Sequence, residues 1–140
     1  MTRASLTQIY IHFVWKTWDQ EPILVESVKE RLYAAMLKRC DELECPAIAI
    51  GGIEDHVHLL VYLHPSIAVA NLVKDIKGAS SHLMNHEIRR GGNFRWQGSY
   101  GAFSIRENEV EQVKAYILNQ HSHHANNTIC EHDERTYIIT

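Results

Sequence analysis

The pattern of hydrophobic and polar positions predicts four elements in the first half of the chain. Residues 6–15 are rich in β-branched and aromatic side chains, which is typical of a strand. Over residues 23–40 apolar side chains recur at helical spacing between glutamates and lysines, which predicts a helix. Two short apolar runs, 47–53 and 56–64, predict a pair of strands, and the two-residue connection between them favours antiparallel pairing.

The second half of the chain repeats the alternation of helix and strand. Ser66 is a predicted N-cap for a long helix over residues 67–89. A glycine-rich loop leads to a strand over residues 100–105, and a last helix begins soon after it. A polar, histidine-rich tail follows at about residues 121–140, and its final "TYIIT" predicts a short docking strand. The order β-α-β-β-α-β-α contains no linker or repeat, so we expect one layered α/β (α+β) sandwich domain over residues 1–140.

The composition narrows the class of protein. A chain of 140 residues with 45% hydrophobic and 22% charged residues is typical of a soluble globular protein. We expect no membrane association, because no apolar run approaches the length of a membrane span and the N-terminus lacks a signal-peptide pattern. The three cysteines lack zinc-finger spacing and suit a reducing, cytoplasmic compartment. The net charge of −3 indicates that any contact with nucleic acid would depend on a local basic patch.

Two of the ten histidines, His56 and His58, lie two residues apart in a predicted strand. Residues at this spacing share one face of a strand, with Cα atoms about 6.6 Å apart, while Val57 and Leu59 face the core. Two imidazoles so placed can bind one divalent ion, and Asp55 is positioned to orient a ring or to join the ligands. The alternative is a pair of half-buried polar residues on an amphipathic strand, and the pair alone does not decide between the two.

The last predicted helix contains two residues that would complete such a site. Tyr116 and Gln120 are four residues apart and therefore lie on one helical face. The amide of Gln120 can complete a metal site, with Tyr116 one turn away. The alternative is that Tyr116 belongs to the core of an amphipathic helix and that Gln120 is an exposed helix former.

Five motifs, in their order along the chain, resemble the single-tyrosine HUH transposases of the smallest bacterial insertion sequences. HUH denotes two histidines around a bulky hydrophobic residue, here His56-Val57-His58. The motifs are "HFVW" (12–15), "DHVHLLV" (55–61), "LVKDIKGASS" (72–81), "RWQGSYGAFSI" (95–105) and "YILNQ" (116–120). The resemblance implies a ferredoxin-like or RRM-like sandwich of the HUH endonuclease type, in which helices pack on an antiparallel sheet.

The same resemblance implies roles for particular residues. It makes His56, His58 and Gln120 the metal ligands and Tyr116 the nucleophile. It further implies a homodimer, in which the tyrosine helix of one subunit can complete the metal site of the other. The implied reaction is the cutting of one strand at a single-stranded DNA hairpin, with the cut end held as a 5′-phosphotyrosine before strand transfer.

The residue types suit this chemistry. A free tyrosine has a pKa of about 10 and is a weak nucleophile at neutral pH without help. A divalent ion on the scissile phosphate would withdraw charge from the phosphorus, and imidazole and amide ligands suit Mg²⁺ or Mn²⁺. A covalent phosphotyrosine conserves the bond energy, so a 3′-hydroxyl can reverse the step and rejoin DNA without ATP.

Basic and aromatic residues around the second long helix and the loop after it are predicted to contact DNA. The predicted phosphate contacts are Lys74, Lys77, Arg95 and Arg106, and the predicted base-stacking residues are Trp96, Tyr100 and Phe103. The alternative is that these lysines and arginines are solvated surface residues and that the aromatic residues fill the core.

Three alternatives stay open at this stage. The tail residues His121, His123, His124, Cys130 and His132 offer zinc ligands, although their spacing matches no standard finger and a solvated tail explains them as well. The chain can also be a metal-dependent nuclease or phosphoesterase in which water attacks and Tyr116 is structural. The third alternative is a non-catalytic nucleic-acid-binding protein with the same fold.

Overall fold

The computed structural model describes residues 2–139. The strands are β1 (Tyr10–Lys16), β2 (Ala47–Ile53), β3 (His56–Tyr62) and β4 (Gly101–Ile105). The α-helices are α1 (Glu26–Glu42), α2 (Val69–Leu83), α3 (Val110–Leu118) and α4 (Gln120–Ala125). A π-helical turn at Met84–Ile88 follows α2, and 3₁₀ turns lie at Trp18–Gln20, Glu107–Glu109 and Glu131–Glu134. No helix in the described part of the chain is both long and apolar enough to cross a membrane.

The strands form one antiparallel sheet in the order β2-β3-β1-β4. β1 and β3 are therefore the central strands, and each is paired on both edges. The first six elements follow the order β-α-β-β-α-β, so the predicted α+β fold with an antiparallel sheet and helices is confirmed.

The main core lies between one face of the sheet and the helices α1 and α2. Val57, Leu59 and Val61 of β3 point into it and are fully buried, as the alternation along the strand predicts. Leu32 of α1 and Ile76 of α2 lie in the same cluster. Full burial of a side chain of this size stabilises the fold by about 1.5–3 kcal/mol.

The second face of the sheet is more polar and packs against α3. Its small apolar cluster contains Ala49, Leu60 and Ile117. Gly51, His58, Val14 and Gly101 are paired in register across all four strands, so one row of this face combines an imidazole with small residues.

The first strand and the second long helix differ from their predicted bounds. β1 begins at Tyr10 rather than at residue 6, and α2 begins at Val69 with Ala68 as its N-cap. Ser66 is not the cap, because its backbone N–H donates to His64 Nδ1 (3.1 Å) and its hydroxyl lies 2.7 Å from the same atom. This local turn delays the start of the helix.

The predicted last helix is interrupted. Asn119 has φ −112° and ψ 29°, and its side-chain amide donates to the carbonyl of Ala115 (2.7 Å), which ends α3 before α4 begins at Gln120. The predicted docking strand is also wrong within the described residues, since Tyr137, Ile138 and Ile139 are exposed and outside any strand. Thr140, the last residue of that predicted strand, lies outside the described residues.

Leu59 provides a test of the core. Leu59→Ala should lower the free energy of unfolding by about 3 kcal/mol, because it leaves a cavity in a fully buried position. The matched control is Leu6→Ala, since Leu6 is 87% exposed and its removal should change that free energy by less than about 0.5 kcal/mol. Denaturant unfolding measures both, and equal effects would contradict the described packing.

Candidate metal and nucleophile site

His56 and His58 lie side by side on β3 and are 4% and 0% exposed. Their rings meet edge to face with centroids 5.1 Å apart. His56 Nδ1 lies 2.7 Å from the carboxylate of Asp55, and His58 Nδ1 lies 2.8 Å from His12 Nε2. Because both Nδ1 atoms are engaged, the two Nε2 atoms are the ones directed to the site.

His12 is a site residue that the sequence did not reveal as one. It is fully buried on β1, and burial, with a further effect of His58, lowers its pKa to about 3, so His12 is neutral. Its Nδ1 has no hydrogen-bond partner among residues 2–139. If His58 donates its Nδ1–H to His12, the lone pair of His58 Nε2 is left free to bind a metal.

Gln120 and Tyr116 reach the same place from the end of α3 and the start of α4. Gln120 is buried, and its Oε1 lies 3.2 Å from His56 Nε2 and 3.1 Å from His124 Nε2. Its amide donates to the carbonyl of Tyr116 (3.3 Å), so the two residues stay adjacent across the break in the helix. The half-buried ring of Tyr116 meets His58 edge to face, with centroids 5.8 Å apart.

Glu134, from the C-terminal segment, is the second site residue that the sequence did not reveal. Its Oε1 lies 3.1 Å from His56 Nε2, 3.0 Å from His58 Nε2 and 3.7 Å from His124 Nε2. Its Oε2 accepts a hydrogen bond from the phenol of Tyr116 (2.5 Å). No periodicity in the sequence relates Glu134 to the histidine pair, because the C-terminal segment reaches the site only in the folded chain.

The charges of the site follow from these contacts. Burial lowers the pKa of His56, but the hydrogen bonds to Asp55 and Glu134 outweigh burial and raise that pKa to about 9. Burial likewise opposes ionisation of Glu134, yet the bonds to His56 and His58 hold its pKa well below the usual range. Burial and the bond to Glu134 raise the pKa of Tyr116, so its phenol keeps its proton at neutral pH.

Two glycines allow backbone segments to approach this face of the sheet. A Cβ added at Gly51 would lie 2.2 Å from the carbonyl oxygen of Ile117, and one added at Gly101 would lie 2.0 Å from that of Arg135. Any side chain at these positions would therefore displace α3 or the C-terminal segment. The close approach at Gly51 holds Tyr116 and Gln120 over the histidine pair.

The residues present fit a divalent metal ion. Ligand atoms of His56, His124 and Glu134 all lie within 4.8 Å of one another, and Gln120 Oε1 touches two of them. His58 is outside that group of three, although its Nε2 contacts Glu134. Imidazole nitrogens with amide and carboxylate oxygens are donors that suit Mn²⁺ or Mg²⁺.

The structure brings His56, His58, Tyr116 and Gln120 together, but it places the predicted DNA contacts elsewhere. Lys77 donates to the carbonyls of Gln97 and Ser99 (2.7 and 3.0 Å), and burial lowers its pKa to about 8, so it stabilises the loop after α2. Lys74 is exposed on α2, which packs on the opposite face of the sheet from the site. Arg95 stacks 3.9 Å over the ring of Trp18.

Arg106 is exposed next to β4, and the aromatic residues differ in their accessibility. Trp96 is buried and its indole N–H donates to Ser80 (2.9 Å), which favours the core interpretation for this residue. Phe103 is partly buried against His132. The assignment of Lys74, Lys77, Arg95 and Arg106 to DNA binding stays a prediction.

Among the residues that the structure describes, the histidines of the tail form no separate group with the spacing of zinc ligands. Within residues 2–139, the group with metal-ligand spacing is the one formed by His56, His124 and Glu134. His121 instead lies 3.2 Å from the amine of Lys29, and His123 packs on the ring of Tyr116. The backbone N–H of Cys130 donates to the phenolic oxygen of Tyr116 (2.9 Å), so the tail covers the nucleophile candidate.

Comparisons with known proteins identify the class of protein that this fold and site define. The family model for IS200-like transposases matches residues 5–120. The chain is 30% identical over 125 residues to the ISDra2 transposase TnpA of Deinococcus radiodurans. The aligned region covers 85% of this chain and 89% of that protein. The chain therefore belongs to the IS200-like transposase family, and the resemblance found in the sequence is confirmed.

Solved structures agree with this assignment. A candidate transposase from Deinococcus radiodurans R1 superposes with a TM-score of 0.68 at 26% identity, over 86% of this chain and 96% of that one. A REP-associated tyrosine transposase bound to a REP hairpin has a TM-score of 0.64 at 14% identity, over 92% of this chain and 74% of that one. The second similarity shows the shared fold.

Gly51→Ala should lower the free energy of unfolding by about 1–3 kcal/mol, because the added methyl group collides with the backbone of α3. The matched control is Gly78→Ala within α2, where no atom lies within 4 Å of the added Cβ. That control should gain about 0.5–1 kcal/mol from helix propensity. Opposite signs in thermal or denaturant unfolding are expected, and a neutral Gly51→Ala would contradict the close approach.

Proposed function

We propose that this chain is a DNA transposase in which Tyr116 cuts one DNA strand, while His56, His58 and Gln120 hold a divalent ion with the scissile phosphate bound. One observation supports the proposal above the others. The phenol of Tyr116 and the Nε2 atoms of His56 and His58 all contact the two oxygens of a single carboxylate, that of Glu134. A phosphate group is also a small oxyanion. In the place of this carboxylate it would contact the nucleophile and the metal ligands at the same time.

The residues of the chain have separate tasks in this reaction. Asp55 and His12 hold the two imidazoles in orientation through their Nδ1 atoms. The phenolic oxygen of Tyr116 loses its proton and attacks the phosphorus, the bond from phosphorus to the 3′-oxygen breaks, and that oxygen takes up a proton as a free 3′-hydroxyl, so the step consumes no net proton. The ion supplies charge withdrawal from the scissile phosphate when it is bound. Attack of a 3′-hydroxyl on the phosphotyrosine reverses the step and returns the phenol.

The proposed substrate is a single-stranded DNA hairpin at the end of an insertion sequence. Membership of the transposase family supports DNA as the partner, and one solved protein of the same fold is described as bound to a REP hairpin. We retain Lys74, Lys77, Arg95 and Arg106 as proposed phosphate contacts. The free cysteines Cys40, Cys45 and Cys130 suit the proposed cytoplasmic location.

A covalent-adduct assay tests the proposal. Incubation with a hairpin-containing single strand and Mn²⁺ should give a protein–DNA adduct that survives denaturation, and Tyr116→Phe should abolish it because the nucleophilic oxygen is gone. Tyr137→Phe is the matched control, since Tyr137 is 65% exposed and outside the site. Gel mobility after denaturation measures the result.

Two other outcomes would contradict the proposal. Cleaved DNA without an adduct, unchanged by Tyr116→Phe, would indicate a hydrolase in which water attacks. DNA binding that persists without metal and in His56→Ala, with no cleavage under any condition, would indicate a non-catalytic binding protein.

We propose in addition that the chain works as a homodimer. In the subunit described here Tyr116 lies beside its own His58, so the structure is compatible with a site built within one chain. Mixing His58→Ala with Tyr116→Phe protein separates the two arrangements. If the subunits exchange tyrosine helices, the mixture should regain about a quarter of wild-type adduct formation, because half of the randomly mixed dimers are heterodimers and each has one intact site of two. A site within one subunit predicts no recovery.

A further inference from the structure

Two residues of the chain surround the proposed metal site without a role in the reaction described above. His124 follows Gln120 by one turn of α4, and Glu134 belongs to the 3₁₀ turn of the C-terminal segment. Both lie beyond residue 120, where the match to the transposase family model ends. The contacts of these two residues therefore belong to a part of the chain that the family model does not match.

The C-terminal segment is anchored on the sheet, so the position of Glu134 is not that of a loose tail. Thr136 is 3% exposed, and the carbonyl of Arg135 approaches Gly101 of β4 as only a glycine allows. The backbone N–H of Cys130 donates to Tyr116 at the other end of the segment. These contacts on both sides hold the carboxylate of Glu134 over the histidines.

Four donor atoms form a ring at this place. Gln120 Oε1 lies 3.2 Å from His56 Nε2 and 3.1 Å from His124 Nε2. Glu134 Oε1 closes the ring at 3.1 Å from the same atom of His56 and 3.7 Å from that of His124. The ligand nitrogens of His56 and His124, which lie opposite each other in the ring, are within 4.8 Å of each other.

These separations are those of ligands around one six-coordinate ion. With bonds of about 2.0–2.2 Å, neighbouring ligands of an octahedral ion are about 3.0 Å apart and opposite ligands about 4.3 Å apart. Three edges of the ring match within a few tenths of an ångström, and the fourth needs a small movement of His124 or Glu134. The three shorter edges are also hydrogen-bond distances, and the two imidazoles, the amide oxygen and the carboxylate that form the ring are all ligand types for Mn²⁺ or Mg²⁺.

We propose that His56, Gln120, His124 and Glu134 form a complete divalent-ion site in the absence of DNA. This inference rests on the proposed function for the use of the site. It adds His124 and Glu134 to the metal ligands proposed there. The second oxygen of Glu134 holds the phenol of Tyr116, so the same carboxylate positions the nucleophile beside the ion. The four donors of the ring leave two positions of a six-coordinate ion in the absence of DNA, of which His58 Nε2, 3.0 Å from Glu134 Oε1, can take one and water the other.

The test is Mn²⁺ binding by calorimetry, with the full chain and without DNA. The wild-type protein should bind one Mn²⁺, and His124→Asn and Glu134→Gln should each weaken the affinity at least tenfold because each removes one ligand. The matched controls are His132→Asn and Glu131→Gln, which make the same changes at exposed positions of the same segment and should stay within twofold of wild type. Melting temperatures measured without metal identify any variant that fails to fold.

The outcomes separate this inference from the proposed function. If folded His124→Asn and Glu134→Gln bind Mn²⁺ as tightly as wild type, or if wild type binds Mn²⁺ only when a hairpin is added, the four-ligand site is wrong. In either case the adduct assay can still succeed, because DNA phosphate would supply the missing ligands. A wild-type protein that binds Mn²⁺ alone but never forms an adduct would support the site and contradict the transposase mechanism.

Discussion

The alternation of side chains along β3 is the constraint on which the rest of the structure depends. β3 lies between β2 and β1, and both of its faces are covered. Val57, Leu59 and Val61 fill the main core, so the period of two places His56 and His58 together on the other face. A shift in register by one residue would put both imidazoles into an apolar core, where unpaired polar groups are costly. The same apolar residues therefore specify the fold and the position of the histidine pair.

On the second face of the sheet, the buried polar groups other than His12 Nδ1 form hydrogen bonds with one another. Asp55 orients His56, His12 orients His58, and Glu134 joins both histidines to Tyr116. In such a network the loss of one partner leaves the remaining groups buried and unsatisfied, which costs more than the lost hydrogen bond itself. This coupling restricts the rings to one orientation, as a metal site requires. The network also requires α3 to lie close to the sheet, because Tyr116 lies on α3 and Gln120 follows its end. The absence of a side chain at Gly51 allows this approach.

Much of the site follows from local periodicity, and the failures have identifiable causes. His56 and His58 share a face because the strand period is two, and Tyr116 and Gln120 lie together because they are four residues apart. The break at Asn119 was missed because it is a change of backbone angles at one residue, whose N–H and side-chain amide both donate to the carbonyl of Ala115, and the hydrophobic pattern carries no signal for it. The sequence also did not reveal that the long side chain of Lys77, predicted to contact phosphate, donates to two loop carbonyls.

The element order, the apolar stripe of β3, the histidine pair and, through the motifs, the transposase family can all be recognised in the amino-acid sequence. The further groups that meet the histidine pair are brought to it by the folding of distant parts of the chain. His12 and Glu134 are 46 and 76 residues from His58 along the chain, and no local period relates side chains at such distances. Their contacts arise from the pairing of β1 with β3 and from the anchoring of the C-terminal segment at Gly101, which depend on the packing of the whole sheet.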